Sequence, residues 1–279
     1  MDTFLSILVL ILNGLLELTK LTISWVIKML NEFKKIILPQ FDKAKSLRNN
    51  ERKVFVFGLP HAGKSTMTAA LVKFLDTDNS YVLRRDPVNN KEGVKILQEW
   101  IISYYNGEFP HQTNEGNYQI LDLEYINLSN NRNKKIVLYE VAGEDVIKFD
   151  PINDNFSEIL ATELSGFLDI SKDVIILAPS NPERIDEDQV IRNFLEYILR
   201  EKKRKKILFI LTKYDLVESQ YENHVQAAKE IYPGSIKLLM TIANSELLPF
   251  SVGKITGDNE FIDDSSKFIK EILGWVESH

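Results

Sequence analysis

The chain has no cysteine, so disulfides and thiolate zinc sites are excluded, and the composition suits a reducing compartment. A large charge of either sign is also missing. The formal net charge is −6 over 279 residues, which argues against a general nucleic-acid binder. Only one long hydrophobic run occurs, at 4–30. No basic segment precedes it and no small-residue cleavage site follows, so a cleaved secretion signal is not expected. Apolar residues make up 44% of the chain, enough for a sizeable core in one large or two small domains.

The most informative stretch is 53–66, KVFVFGLPHAGKST. A short β-branched and aromatic run ends at Gly58, and Gly63, Lys64 and Ser65 follow. This is the pattern G-x-x-x-x-G-K-S, placed between a predicted strand and a predicted helix. Gly58 and Gly63 let the backbone curl with its N–H groups inward, where they and the helix N-terminus favour phosphate oxygens. Lys64 is expected to reach the β- and γ-phosphates and Ser65 to offer its hydroxyl to Mg²⁺. His61, Ala62 and Thr66 complete the expected nucleotide-contacting segment, Pro60 and His61 having no assigned chemistry.

Residues 4–30 read FLSILVLILNGLLELTKLTISWVIKML. Ser6, Asn13, Glu17, Lys20, Ser24, Lys28 and Asn31 recur at helical spacing, giving one narrow polar stripe on an apolar helix that Pro39 ends. Three arrangements suit such a helix. It can cross a membrane, being longer than about 20 residues, with Glu17 and Lys20 paired inside the span. It can lie in the membrane plane, or be buried in a helical partner or oligomer. Lys34, Lys35, Lys43, Lys45, Arg48, Arg52 and Lys53 follow it. Under the positive-inside rule they keep the rest of the chain at the cytoplasmic face of the membrane. The expected organisation is an apolar helix over 1–39, a linker over 40–52 and a nucleotide-binding domain over 53–279.

Beyond the loop the pattern predicts helices over 64–75, 88–105, 157–170, 186–200, 220–232 and 266–276. It predicts strands over 118–128, 135–141, 173–178, 206–211 and 236–242, with a further short one near 248–252. Residues 76–117 carry no strong strand signal. The fold class expected is α/β, a P-loop NTPase three-layer sandwich with a mostly parallel central sheet, preceded by the long apolar helix. Three basic stretches lead into strand starts: 43–53, then Arg132, Lys134 and Lys135, then 200–206. They are expected to form a collar facing anionic headgroups.

Three further segments complete the candidate site. Thr113 stands on an irregular polar loop, where its hydroxyl and N–H suit a γ-phosphate and Mg²⁺. Glu140 ends a strand and Gly143 follows, so the carboxylate is expected to hold Mg²⁺ through a water and the Gly143 N–H to meet the γ-phosphate. Thr212-Lys213-Tyr214-Asp215 follows another apolar strand. The Asp215 carboxylate can accept two hydrogen bonds from guanine N1–H and its amine, which adenine does not offer there, and the Lys213 stem would lie along the base.

Taken together, these motifs resemble a Ras-like small GTPase, a G domain of the TRAFAC class of P-loop GTPases, over about 53–275. Residues 58–65 resemble the first G motif, Thr113 the switch I threonine, Glu140 to Gly143 the D-x-x-G motif and Thr212 to Asp215 the N/T-K-x-D motif. Ser251 and Val252 resemble the S-A-x motif. The run Phe109-Pro110 to Thr113 after a long insertion is similar to bacterial TRAFAC GTPases of conflict and signalling systems. The β subunit of the signal recognition particle receptor also joins a terminal anchor to a G domain, but fits less well over 88–105. The resemblance implies GTP/GDP and Mg²⁺ as cofactors, and a membrane-tethered switch that hydrolyses GTP and engages an effector protein. The alternative is a non-hydrolysing GTP-binding scaffold subunit. Two departures bear on turnover. Glu140 stands where aspartate is usual, and Glu144 where a water-positioning glutamine is common, so hydrolysis is expected to be slow or partner-stimulated.

Overall fold

The computed structural model describes residues 51–84, 91–106, 118–143, 146, 161–182, 186–201, 205–255, 261–263 and 265–278. The chain divides into two compact units, Met1–Asn49 and Asn50–His279, and every described residue lies in the second. In chain order the elements are β1 (Arg52–Gly58), α1 (Lys64–Thr77), β2 (Tyr81–Arg84), α2 (Lys91–Tyr105), β3 (Tyr118–Asn127), β4 (Arg132–Val141), α3 (Ala161–Ile170), β5 (Asp173–Pro179), α4 (Glu187–Glu201), β6 (Lys206–Thr212), α5 (His224–Ile231), α6 (Pro233–Leu239), β7 (Ser245–Phe250), β8 (Gly253–Ile255), β9 (Phe261–Asp263) and α7 (Ser266–Glu277).

Seven strands form one sheet in the order β2-β3-β4-β1-β5-β6-β7, and β8 and β9 form a separate ribbon. Strands β1, β5 and β6 are buried almost throughout, which suits the middle of a sheet covered on both faces. The pairings from β4 to β7 are parallel, but β3 runs antiparallel to both β2 and β4. The expectation of a mostly parallel sheet is therefore corrected to a mixed one. The reason is local. A tight turn joins β3 to β4, with Asn131 at φ 51° and the Asn130 side chain accepting from Arg132 N at 3.0 Å, and so short a connection allows only antiparallel strands.

The two faces are set by alternation along the strands. Phe55 and Phe57 share one face with Tyr139, and Phe57 stacks on Phe194 of α4 at 3.7 Å between ring centroids, 5° from parallel. Tyr139 stacks on Phe167 of α3 at 4.6 Å. On the opposite face, β3 presents Leu121, Leu123 and Tyr125, all fully buried. There α7 is fastened by its last turn. Tyr125 Oη donates to Glu277 Oε1 at 2.7 Å, and Asn127 Nδ2 donates to Glu277 Oε2 at 3.4 Å. Burial pushes the Tyr125 hydroxyl pKa up, and its bond to Glu277 and that residue's charge push it further. Tyr125→Phe is expected to cost about 1.5–3 kcal/mol, the worth of a hydrogen bond to a charged acceptor, read as a lower urea midpoint at unchanged slope.

The basic stretches have interior partners. Lys135 Nζ lies 2.8 Å from both Glu51 Oε1 and Asp122 Oδ2. Lys205 Nζ donates to the carbonyls of Leu168, Asp169 and Ser171, closing the C-terminus of α3. Lys206 Nζ donates to Trp275 O at 2.7 Å and Ser278 Oγ at 2.8 Å, and lies 4.2 Å from the Trp275 ring centroid. These three lysines serve helix ends and carboxylates. The basic strand starts do lie side by side at one end of the sheet, as expected, with Arg52 in register with Ile136 and Asp173 with Lys206, but the headgroup-facing role of such a collar falls with the membrane partner. Lys202, Lys203 and Arg204 lie outside the described residues.

Two other expectations change. The strand expected over 236–242 is helix α6. Pro233 opens it, and the Asp188 carboxylate, far away on α4, accepts from Gly234 N at 2.9 Å and Ser235 N at 2.8 Å. The long apolar helix over 1–39 lies outside the described residues, and among those described no helix is long and apolar enough to cross a membrane. The membrane partner and the location at its cytoplasmic face depended on that segment as the anchor, and both are withdrawn.

Candidate functional site

The site is built where β1, β4 and β6 end. At Gly58 an added Cβ would meet Lys64 Cγ at 3.0 Å and Leu177 O at 3.2 Å. Glycine there lets the Lys64 stem fold back against the strand end. Lys64 is 7% exposed, and its Nζ donates to Gly58 O at 2.9 Å and Leu59 O at 3.2 Å. The loop turns through His61 at φ 57° and Gly63 at φ 80°, both left-handed, and Ala62 N donates to Leu59 O at 3.2 Å. Helix α1 then begins with neither a side-chain cap nor an acidic residue in its first turn. Its leading N–H groups, with Ser65 and Thr66 half-buried among them, present a positive end suited to an anion.

Glu140, fully buried, lies one residue before the end of β4 and accepts from Ser65 Oγ at 2.8 Å. Past β4, the backbone at Gly143 lies against the loop: an added Cβ would sit 2.4 Å from Pro60 N. Thr113 and Glu144 lie outside the described residues.

At the end of β6 the second loop joins the first. Thr212 Oγ1 donates to Ala62 O at 2.9 Å. Lys213 takes the left-handed conformation, φ 54° and ψ 34°, which turns the chain so that Asp215 follows on a short 3₁₀ turn, Tyr214–Leu216. Ser251, buried after β7, donates from Oγ to Asp215 Oδ1 at 2.7 Å, and Val252 follows half-buried. This bond fixes one carboxylate oxygen and orients the group. Ser180 was not among the expected site residues. It stands just past β5, and its Oγ donates to Lys213 O while its N donates to Thr212 O at 2.8 Å. Its only sequence signal is a small polar residue directly after a buried strand.

The structure thus brings Gly58, Ala62, Lys64, Ser65, Glu140, Gly143 and Thr212 into one contact set, with Lys213, Asp215 and Ser251 attached through Thr212 and Ser180. Among the described residues no group of three or more histidines, aspartates or glutamates is placed to hold a metal by itself. Ser65 and Glu140 supply two hard oxygen donors. That donor set fits Mg²⁺, which is commonly held by one or two protein oxygens together with phosphate oxygens.

No protein-family model and no curated protein matches the chain. The resemblance to Ras-like TRAFAC GTPases, and to the bacterial conflict and signalling members, is therefore corrected: what it rested on is a few short loops. Segments of four to eight residues are dictated by local backbone chemistry and do not establish descent. With it goes the reading as a membrane-tethered switch acting on an effector protein, and the scaffold alternative, since both drew on family and membrane rather than on the site.

Proposed function

We propose that the protein binds a guanine nucleoside triphosphate with Mg²⁺ at 58–66 and slowly hydrolyses it to the diphosphate and phosphate. The observation that carries this reading is the bond from Thr212 Oγ1 to Ala62 O. It holds a loop suited to phosphate and a loop suited to a base edge at fixed separation. The left-handed loop and the uncapped start of α1 suit the phosphates. Lys64 is placed to leave the Gly58 and Leu59 carbonyls for phosphate oxygens, offsetting their charge. Asp215, oriented by Ser251, has the acceptor pair that guanine N1–H and its amine require. Mg²⁺, when bound, spreads the charge of the phosphate oxygens, with Ser65 and Glu140 as its protein donors. Gly143, just past β4 and packed against the loop at Pro60, would offer its N–H to the γ-phosphate. In hydrolysis a water oxygen bonds to the γ-phosphorus, the bridging P–O bond breaks, its electron pair stays with the diphosphate, and the water's protons leave on the released phosphate and to solvent.

Competition binding with GTP, GDP and ATP, followed by single-turnover phosphate release, tests the reading. GTP and GDP are expected to bind and ATP not to compete. Asp215→Asn is expected to weaken the guanine nucleotides by roughly 10–100-fold, the cost of one mismatched buried hydrogen bond to a charged group, and to leave ATP unchanged. Equal binding of ATP and GTP by the wild type would exclude the base assignment. Binding without any phosphate release would exclude hydrolysis.

A further inference from the structure

We infer that Ser180, just past β5, is the positioning residue that sets the base preference of the site. The inference rests on the nucleotide reading proposed above and concerns how its base-reading loop is held. Lys213 carries φ 54° and ψ 34°, a left-handed conformation that any residue with a Cβ disfavours. Such a residue persists only where its surroundings fix it. Ser180 fixes it from both sides. Its N–H donates to Thr212 O at 2.8 Å, and its Oγ donates to Lys213 O. Those two carbonyls belong to the two planar peptide units that meet at the Lys213 Cα. Holding both planes against one residue holds φ and ψ of Lys213 together.

The clamp reaches the base through the next turn. Lys213 O also opens the 3₁₀ turn, accepting from Leu216 N at 3.1 Å, and Asp215 lies within that turn. The direction of Lys213 O therefore governs where the Asp215 carboxylate points. Ser251 Oγ, at 2.7 Å, steadies that carboxylate but acts on the side chain alone. Ser180 has little freedom to yield. It is 3% exposed, the residue before it pairs with Thr212 in the sheet, and Pro179 O accepts from the buried Tyr232 Oη at 2.8 Å. A carboxylate that accepts from guanine N1–H and from its amine must lie in line with the base edge. A small rotation of the turn keeps one of those bonds and loses the other.

Inosine diphosphate keeps the N1–H and lacks the amine, so comparing it with GDP isolates the second bond. Both are titrated calorimetrically into the full chain. The wild type is expected to prefer GDP by roughly 10–100-fold, the worth of one hydrogen bond to a charged group. Ser180→Ala is expected to bind GDP roughly tenfold more weakly and inosine diphosphate within about threefold of the wild type, so the preference narrows. Ser180→Cys keeps the shape with a weaker donor and is expected to fall between the two; it carries the test should Ser180→Ala not fold. A preference that stays at the wild-type value in the folded variant, whether both affinities fall together or neither falls, would overturn the inference. If the wild type binds neither nucleotide, or binds both equally, the reading of the site itself fails and takes this inference with it. If the wild type prefers GDP and the variant keeps the whole preference, only the role of Ser180 fails.

Discussion

Lys64→Ala is expected to lower nucleotide affinity by roughly two to three orders of magnitude, ~3–4 kcal/mol. The loss is that of a fixed positive charge in a confined site. Lys64 is 7% exposed and already bonded to Gly58 O and Leu59 O, so its ammonium is held at the loop before any ligand arrives. Alanine removes the charge and leaves the first turn of α1 as the remaining positive element. Two carbonyls at the mouth of the loop lose their donor, but water can replace it, so the stability change is expected to stay near 1 kcal/mol. Calorimetric titration of GDP against wild type and variant, with thermal unfolding alongside, separates the two effects. Equal affinities would mean that phosphate does not bind at this loop.

The second large effect is expected at Gly143. A Cβ there would lie 2.4 Å from Pro60 N, 2.6 Å from Leu59 C and 2.7 Å from Pro60 Cα. All three are backbone atoms, so no rotamer relieves the clash. Gly143→Ala must push the segment after β4 away from the phosphate loop. Overpacking of this kind costs roughly 1–3 kcal/mol, and the distorted loop should bind nucleotide poorly as well. Gly274, inside α7, is the natural control. Nothing lies within 4 Å of its added Cβ, so Gly274→Ala is expected to raise stability by roughly 0.5–1 kcal/mol through helix propensity. Denaturant unfolding of the two variants should move in opposite directions. A Gly143→Ala midpoint at or above the wild-type value would contradict the packing described.

What could be read from the sequence was whatever is contiguous in it. The strand, the two loop glycines, Lys64 and Ser65 lie within one short stretch, and their backbone requirements show in residue type. Helices and buried strands showed through periodicity and apolar runs. Strand β2 did not, because it has four residues with partly exposed side chains on an edge. Helix α6 reads as a strand in the sequence because its N-terminal bonds come from Asp188, 46 and 47 residues away. The tie between the two halves of the site was equally hidden, since Thr212 and Ala62 are 150 residues apart. Ser180 gave almost no signal for the same reason. The direction of β3 is the more local case, since a connection as short as the one at Asn130 and Asn131 allows only antiparallel strands.

One junction bears on how the chain can vary in length. Lys205 and Lys206 are neighbours, yet Lys205 serves the end of α3 and Lys206 the end of α7. The sheet separates those two helices, and consecutive residues entering a strand point to opposite sides. Substituting either lysine loses one helix-end contact. Inserting or deleting a single residue here would send each ammonium to the wrong side and shift β6 with Thr212 at its far end. Point changes are therefore tolerable at this junction, whereas changes of one residue in length are not.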